Sequence, residues 1–379
     1  MDKDNIIEWI YNLSQEDPRH ESGEVLGSMT TPPPPEAIKV VVHFISKNLG
    51  DPTLFKSLQQ ITDKLIEETR RLLSLPENLK GIITSGGTES NILALYTFRE
   101  ALGIREVLHT DLAHYSISKA AKLLNLKEIT FPTDASGKGQ AFELKKNNIE
   151  KTGIVLTMGT TELGSVEDPR ELIDENSDIP IHIDAAFGGF TFPFIDRSNY
   201  SRIINWLNSR NFAFTLSVDF HKFLGAPIPS GIIFLPEELF KTLSFDVEYI
   251  LSGKQFGLLG TRPGFSSPAA LATLAYYGED GIASMSNRAY NDALWFLSEA
   301  ERMKVGKAVN RPDVPIACLS TDEEIDARKL IEELAELKLY VYRGAKCRGI
   351  RTVVMPHVTR KHLEELLKGI ERAIQREKK

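Results

Sequence analysis

At 379 residues, with 42% hydrophobic and 26% charged side chains and a formal net charge of −7, the chain has the make-up of a globular protein with a sizeable core. The acidic balance argues against nucleic acid as a partner, and no apolar run approaches the ~20 residues that cross a bilayer. The opening MDKDNIIEWIYNLSQEDPRH lacks a cationic segment leading into an apolar one, so the expected location is cytoplasmic, with no membrane partner.

In chain order, a helix-like opening gives way to TTPPPP from Thr30 to Pro35, which forbids helix and favours an extended, polyproline-like arm. An apolar helix is expected over 36–49, closing an N-terminal unit of residues 1–49. Ile61, Leu65, Leu72 and Leu73 recur at helical spacing and mark a buried stripe. Short β-rich runs follow at 81–85, 106–110, 153–158, 180–186, 214–219 and 231–235, separated by helix-like or loop stretches. Nearly all-apolar strands alternating with helices imply an α/β fold, with a largely parallel sheet covered on both faces. Ligands bind beyond the carboxyl ends of such strands. This large domain is expected over 50–280. After a long helix around 281–301, the runs VPIACLS, LYVYR and IRTVVMP, with helices over 322–337 and from Arg360 onward, predict a smaller α/β domain over 281–379. In the last helix Leu363, Leu366, Leu367, Ile370 and Ile374 form an apolar stripe, so its basic residues make a solvated face.

Three features on the large sheet carry chemistry. The strand 81–85 runs into Gly86, Gly87, Thr88, Glu89 and Ser90 and then the apolar helix NILALYTF. Glycines let the backbone approach an anion, and a helix N-terminus offers free N–H groups, so this turn suits a phosphate; the GK[ST] of a Walker loop is absent. In IHIDAAFGG, Asp184 ends an apolar strand, where a carboxylate needs a cation or hydrogen bonds; a protonated pyridine nitrogen is one such partner, and a strand-end cap is the plainer alternative. SVDFHKFLGAPIPSG sets His221 and Lys222 on a turn after another apolar strand, where a lysine nitrogen can be captured as an imine.

The order of these features, with SGGTESN, AHYSISKAA, GTTELGSV, HIDAAFGGF, SVDFHK with APIPSG, GTRPG and IRTVVMPHVT, resembles the group II pyridoxal-phosphate-dependent amino-acid decarboxylases, and specifically the archaeal L-tyrosine/L-aspartate decarboxylase family. The likeness runs from about Gly23 to the end of the chain. It implies the fold-type I PLP-dependent transferase fold, pyridoxal 5'-phosphate as cofactor, no metal, and a homodimer with a shared active site. By this resemblance Lys222 forms the imine with the cofactor, Asp184 pairs with the pyridine nitrogen, and His114 stacks on the ring. Gly87 and Thr88 cradle the phosphate with Ser217 and His221 nearby, and Thr160 or Thr161 approaches the ring hydroxyl. Gly260 and Thr261 close the phosphate site from a neighbouring subunit, Tyr249 is a candidate proton donor on a mobile loop, and Arg351 holds the substrate carboxylate. Two positions depart from the family: Phe220 stands where proline is usual, and TTPPPP replaces an Asn-Pro-His type sequence at the substrate entrance.

The implied reaction is α-decarboxylation of an L-amino acid to the amine and carbon dioxide, with aspartate to β-alanine for coenzyme A supply first and glutamate or tyrosine as alternatives. A sulfur-transfer enzyme would share the fold and need a reactive cysteine, for which Cys347, between Lys346 and Arg348, is the candidate. Cys318 and Cys347 are too few for a multi-bridge framework, no CxxC suggests zinc, and the decarboxylase reading gives them no role. Intact Lys222, Asp184 and His114 speak against a non-catalytic scaffold.

Overall fold

The computed structural model describes residues 3–51, 53–140, 151–173, 178–210, 213–322 and 324–377. After α1 (Lys3–Ser14), the chain crosses the proline arm to α2 (Pro35–Phe44). Pro34 is extended and Pro35 occupies the first helical turn, where a missing N–H leaves no bond unmade. The helix ends earlier than expected because Asn48 is drawn into another contact. Its Oδ1 accepts from Gly50 N at 2.8 Å and from Arg262 N at 3.1 Å. α3 (Lys56–Leu72) buries Leu58, Leu65 and Leu72 along one face.

The large sheet is then laid down by β1 (Leu79–Thr84), β2 (Glu106–Thr110), β3 (Lys127–Phe131), β4 (Thr152–Thr157), β5 (Ile181–Asp184), β6 (Phe214–Asp219) and β7 (Gly231–Pro236). Between them run α4 (Gly87–Leu102), α5 (Ser116–Leu123) and α6 (Arg197–Asn208). The spatial order is β1-β7-β6-β5-β4-β2-β3, with β3, β2, β4, β5 and β6 parallel and β7 antiparallel to both β6 and β1. β3 was not anticipated: its KEITF sequence lies at the sheet edge with only Phe131 fully buried, so it has no apolar run to reveal it. Alternate residues feed opposite faces. Ile154 and Leu156 join Ile181, Leu216 and Phe234 in one apolar cluster, while Val155 joins Ile233, Leu235 and Phe98 of α4 in another.

A hairpin of β8 (Ser244–Asp246) and β9 (Lys254–Phe256) precedes α7 (Ser266–Met303), which bends at Gly278, where φ is +62°. The second sheet is antiparallel, ordered β10 (Lys307–Ala308), β11 (Ile316–Ser320), β13 (Gly349–Val353), β12 (Tyr342–Gly344), with α7 and α8 (Ala327–Glu336) against it and α9 (Arg360–Glu377) packed on those two helices. α8 starts five residues later than expected because Asp326 is the cap, its carboxylate accepting from Arg328 N at 2.9 Å. The apolar stripe of α9 is buried as expected.

The cysteines are the clearest correction. Cys318 of β11 and Cys347, in the turn between β12 and β13, form a disulfide with Cα atoms 5.7 Å apart. Both are 1% exposed and pack on Leu112 and Leu163.

Candidate active site

The parallel strands β2, β4, β5 and β6 end on one side of the sheet, and the residues just past those ends surround a cavity of about 280 Å³. Gly87, Thr88, His114, Thr161, Asp184, His221 and Lys222 line it, together with Met29, Tyr115, Phe187 and Asp219.

One corner is built from β1 and α4. Gly86, at φ +139°, turns the chain, and a Cβ there would lie 2.7 Å from His221 Cε1. A Cβ on Gly87 would meet Ala186 Cβ at 3.0 Å. Ser85 N donates to Glu89 Oε2 at 2.7 Å, which braces the turn from behind. The helix was expected to begin after the GGTES segment but begins at Gly87, with no side-chain cap bond, so its first-turn N–H groups face the cavity as an anion site.

Asp184 is 4% exposed; its Oδ1 accepts from Ala186 N at 3.1 Å and its Oδ2 from Asn91 Nδ2 at 2.8 Å. His114 follows β2 and places Nδ1 2.8 Å from Ser116 Oγ. Burial lowers its pKa below the ordinary histidine value; nearby Asp184 works against this and Lys222 reinforces it. Past β6, Lys222 Nζ lies 3.4 Å from Asp219 Oδ2, and His221 Nε2 lies 3.7 Å from the same oxygen. His221 Nδ1 sits 2.7 Å from the Ser230 carbonyl and 3.1 Å from Ser230 N, which fixes the ring against the loop. Phe220 points away into the core, 5.4 Å from the Phe190 ring, so the departure from proline leaves the cavity untouched.

Other expected residues stand off the cavity wall. Thr160 is fully buried and spends its hydroxyl on Ser165 Oγ at 2.7 Å, so of the two threonines Thr161 faces the cavity. Ser217 is the register partner of Asp184, and its buried hydroxyl has no partner among the described residues. Arg351, 6% exposed, donates Nη1 to Thr161 O at 2.9 Å and Nη2 to Gly27 O at 2.5 Å, and lies 5.3 Å from the Tyr342 ring centroid. Burial depresses its pKa from the usual guanidinium value. Tyr249, between β8 and β9, is 91% exposed, and Gly260 and Thr261 lie beside Gly50; none of the three lines this cavity in its own chain.

The proline arm is strapped to the small sheet. Leu26 N and Gly27 N donate to Tyr340 O at 3.0 and 2.9 Å, and Val353 N donates to Leu26 O at 2.8 Å. His357 bridges further along, with Nε2 2.9 Å from Val25 O and Nδ1 2.9 Å from Thr31 Oγ1. The strap carries Met29 into the cavity wall and packs Thr31 on Gly225, where a Cβ would come within 2.6 Å of Thr31 Cγ2.

The polar groups fit pyridoxal phosphate. Asp184 suits a protonated ring nitrogen, the orphaned Ser217 hydroxyl and the α4 N-terminus suit a phosphate, and Lys222 suits the aldehyde. Sequence reasoning missed Asn91, Asp219 and His182 as site residues, although all three lie in the motifs SGGTESN, SVDFHK and HIDAAFGGF. The signal was a buried polar side chain on an apolar element, which demands a partner. The sulfur-transfer alternative falls with the disulfide, which leaves Cys347 without a free thiol.

The pyridoxal-dependent decarboxylase conserved domain matches residues 55–260. The L-aspartate decarboxylase of Thermococcus kodakarensis is 35% identical, over 97% of this chain and 96% of its own length. The L-aspartate/L-glutamate decarboxylase of Pyrococcus horikoshii is 35% identical over 99% and 98%, and the L-tyrosine/L-aspartate decarboxylase of Methanocaldococcus jannaschii 30% over 97% and 96%. Among solved structures, a Lactobacillus brevis glutamate decarboxylase superposes with a TM-score of 0.86 at 17% identity, covering 99% of this chain and 92% of that one. A Burkholderia pseudomallei sphingosine-1-phosphate lyase gives 0.87 at 19%, covering 99% and 91%. The fold is therefore the fold-type I PLP fold, and the chain belongs to the pyridoxal-dependent decarboxylase family, an amino-acid decarboxylase with pyridoxal phosphate as its cofactor.

Proposed function

We propose that the enzyme removes the α-carboxylate of L-aspartate to give β-alanine, in the cytoplasm and for coenzyme A supply. The observation that carries this is the cavity beside Lys222: at about 280 Å³ within one chain it lies just below the usual ~300–1,000 Å³ of ligand pockets, and the cofactor takes the part beside Lys222 and Gly87. What is left, walled by Met29, Tyr115 and Phe187, suits a short side chain better than a phenol. The L-aspartate decarboxylase of Thermococcus kodakarensis supports the same choice.

When bound, the cofactor supplies an electron sink for the pair released as the Cα–carboxylate bond breaks. Lys222 would hold the cofactor at its aldehyde, and Asp184 would pair with the protonated ring nitrogen. His114 packs on the ring face, Thr161 lies at the ring hydroxyl in place of Thr160, and Gly87, Thr88, Ser217 and His221 hold the phosphate. Arg351 would hold the substrate carboxylate with the donors it does not spend on Thr161 and Gly27. A second copy of the chain completes the site: its Tyr249 delivers the proton to Cα, and its Gly260 and Thr261 close the phosphate end. Exposed apolar residues on α1 and α2 and around the β8–β9 hairpin, Trp9, Ile10, Val42, Ile45 and Leu251 among them, support such a homodimer.

The deciding experiment is carbon dioxide release from aspartate, glutamate and tyrosine by the holoenzyme, with Lys222→Ala as the inactive control. Aspartate is expected to lead glutamate by about tenfold or more in kcat/KM, the usual range for one methylene. Faster turnover of tyrosine would refute the reading.

A further inference from the structure

Behind the cavity runs a line of buried polar side chains that the expected mechanism does not use. Thr215 Oγ1 lies 2.7 Å from His182 Nδ1, and His182 Nε2 lies 2.7 Å from Asn91 Oδ1. Asn91 Nδ2 lies 2.8 Å from both Asp184 Oδ2 and Ser116 Oγ, and Ser116 Oγ lies 2.8 Å from His114 Nδ1. Thr215, His182, Asn91 and Ser116 are all fully buried, and they come from β6, β5, α4 and α5.

Every donor in this line has a forced direction. The Asp184 carboxylate only accepts, so Asn91 must turn its amide nitrogen toward it and its oxygen toward His182. His182 must therefore carry its proton on Nε2. Burial keeps its ring neutral, with a pKa lowered to about 4. Nδ1 is then bare and takes the Thr215 hydroxyl proton. Ser116 Oγ accepts from Asn91, and Ser116 N donates to His114 Nδ1 at 3.4 Å, so Nδ1 is the accepting nitrogen that takes the Ser116 hydroxyl proton and the His114 proton sits on Nε2.

We infer that His182, acting through Asn91, is a positioning residue that fixes both the Asp184 carboxylate and the tautomer of His114. One buried ring thus sets the polarity of the two groups that meet the cofactor ring, the nitrogen partner and the stacked imidazole. This rests on the cofactor assignment and deepens it: Asp184 is oriented before the cofactor arrives, and His114 offers one defined N–H toward the cavity.

Histidine ring-nitrogen NMR on uniformly histidine-labelled protein, with and without pyridoxal phosphate, tests this directly. In the wild type, His182 and His114 are both expected as single Nε2–H tautomers in either form. Asn91→Asp keeps the shape but removes the donor, so His114 is expected to become a tautomer mixture. The dissociation constant for pyridoxal phosphate should rise roughly ten- to hundredfold, the range for a lost hydrogen bond to a charged group. His182→Leu leaves the atoms of Asp184 and Ser116 in place but frees the Asn91 oxygen, and should likewise mix the His114 tautomers, so it carries the test should Asn91→Asp not fold. A wild-type proton on His182 Nδ1 would overturn the inference, as would a His114 tautomer unmoved in Asn91→Asp with cofactor affinity within twofold of wild type. Failure of the wild type to take up pyridoxal phosphate would instead refute the cofactor reading.

Discussion

Replacing Glu167 with glutamine should make the protein more stable, by an amount that grows from pH 4.5 and levels off above pH 7. Glu167 is 3% exposed and sits where β2 and β4 part, since their pairing ends at Leu108 and Ile154. Its Oε2 accepts from Thr157 N at 2.7 Å, while its Oε1 and the Thr157 hydroxyl have no partner among the described residues. Burial pushes the carboxyl up from 4.5 to about 7, against the pull of hydrogen bonds from the Thr110 hydroxyl and Thr157 N and with a further push from Asp111. A raised acid pKa means the folded protein keeps a proton that the unfolded chain releases between those two values. The group is thus neutral in effect below pH 4.5 and costs stability progressively up to pH 7. At 1.36 kcal/mol per pH unit over 2.5 units, the cost levels off at about 3 kcal/mol. Glu167→Gln keeps the acceptor for Thr157 N and offers its amide to the orphaned hydroxyl. It should match the wild type within ~1 kcal/mol near pH 4.5 and exceed it by about 3 kcal/mol at pH 8. Buried His182 and His357, each lowered to about 4, act in the opposite sense: their contribution is complete above pH 6.5 and is lost as pH falls toward 4. They are the same in both proteins and cancel in the difference. Urea unfolding of the cofactor-free proteins at matched concentration, from pH 4.5 to 8, measures it. A stability difference that does not change with pH would refute the reasoning.

Asp184→Asn should fold but lower kcat by at least about a hundredfold, because an amide cannot hold a proton on the ring nitrogen; stopped-flow release of carbon dioxide checks this. His357→Ala removes the two hydrogen bonds that pin Val25 and Thr31, about 2 kcal/mol in all, so the arm should undock roughly thirtyfold more often. The effect should fall on KM through Met29, and His357→Gln, which can both accept and donate there, should restore most of it. Reducing the Cys318–Cys347 bond, which closes a separation of 29 residues, should cost up to roughly 3.6 kcal/mol by loop entropy, read as a lower melting temperature that Cys318→Ser reproduces.

The large sheet was legible because its inner strands are continuous apolar runs, and all six expected strands formed within a residue or two of their expected bounds, apart from the shorter β5. What hid β3 was its edge position, and what hid the start of α8 was the weak local cue of a capping aspartate among several acidic neighbours. The disulfide was invisible for another reason: two cysteines far apart in sequence become partners only after β11 and the β12–β13 turn are placed side by side.

The site divides in the same way. Gly87, Asp184 and Lys222 were readable because each ends an apolar run with a residue whose chemistry has no packing use there. Arg351 was readable by type but not by engagement. Its donation to Thr161 O and Gly27 O ties β13 at once to the loop after β4 and to the proline arm, so the group expected to orient a carboxylate also holds two walls of the cavity. A substitution at Arg351 therefore cannot be read as loss of a substrate contact alone. The segment leading into the arm that departs from the family sequence is held at Gly27 by Arg351 and at Val25 and Thr31 by His357, so the proposed carboxylate-binding arginine and the proposed substrate entrance are mechanically tied.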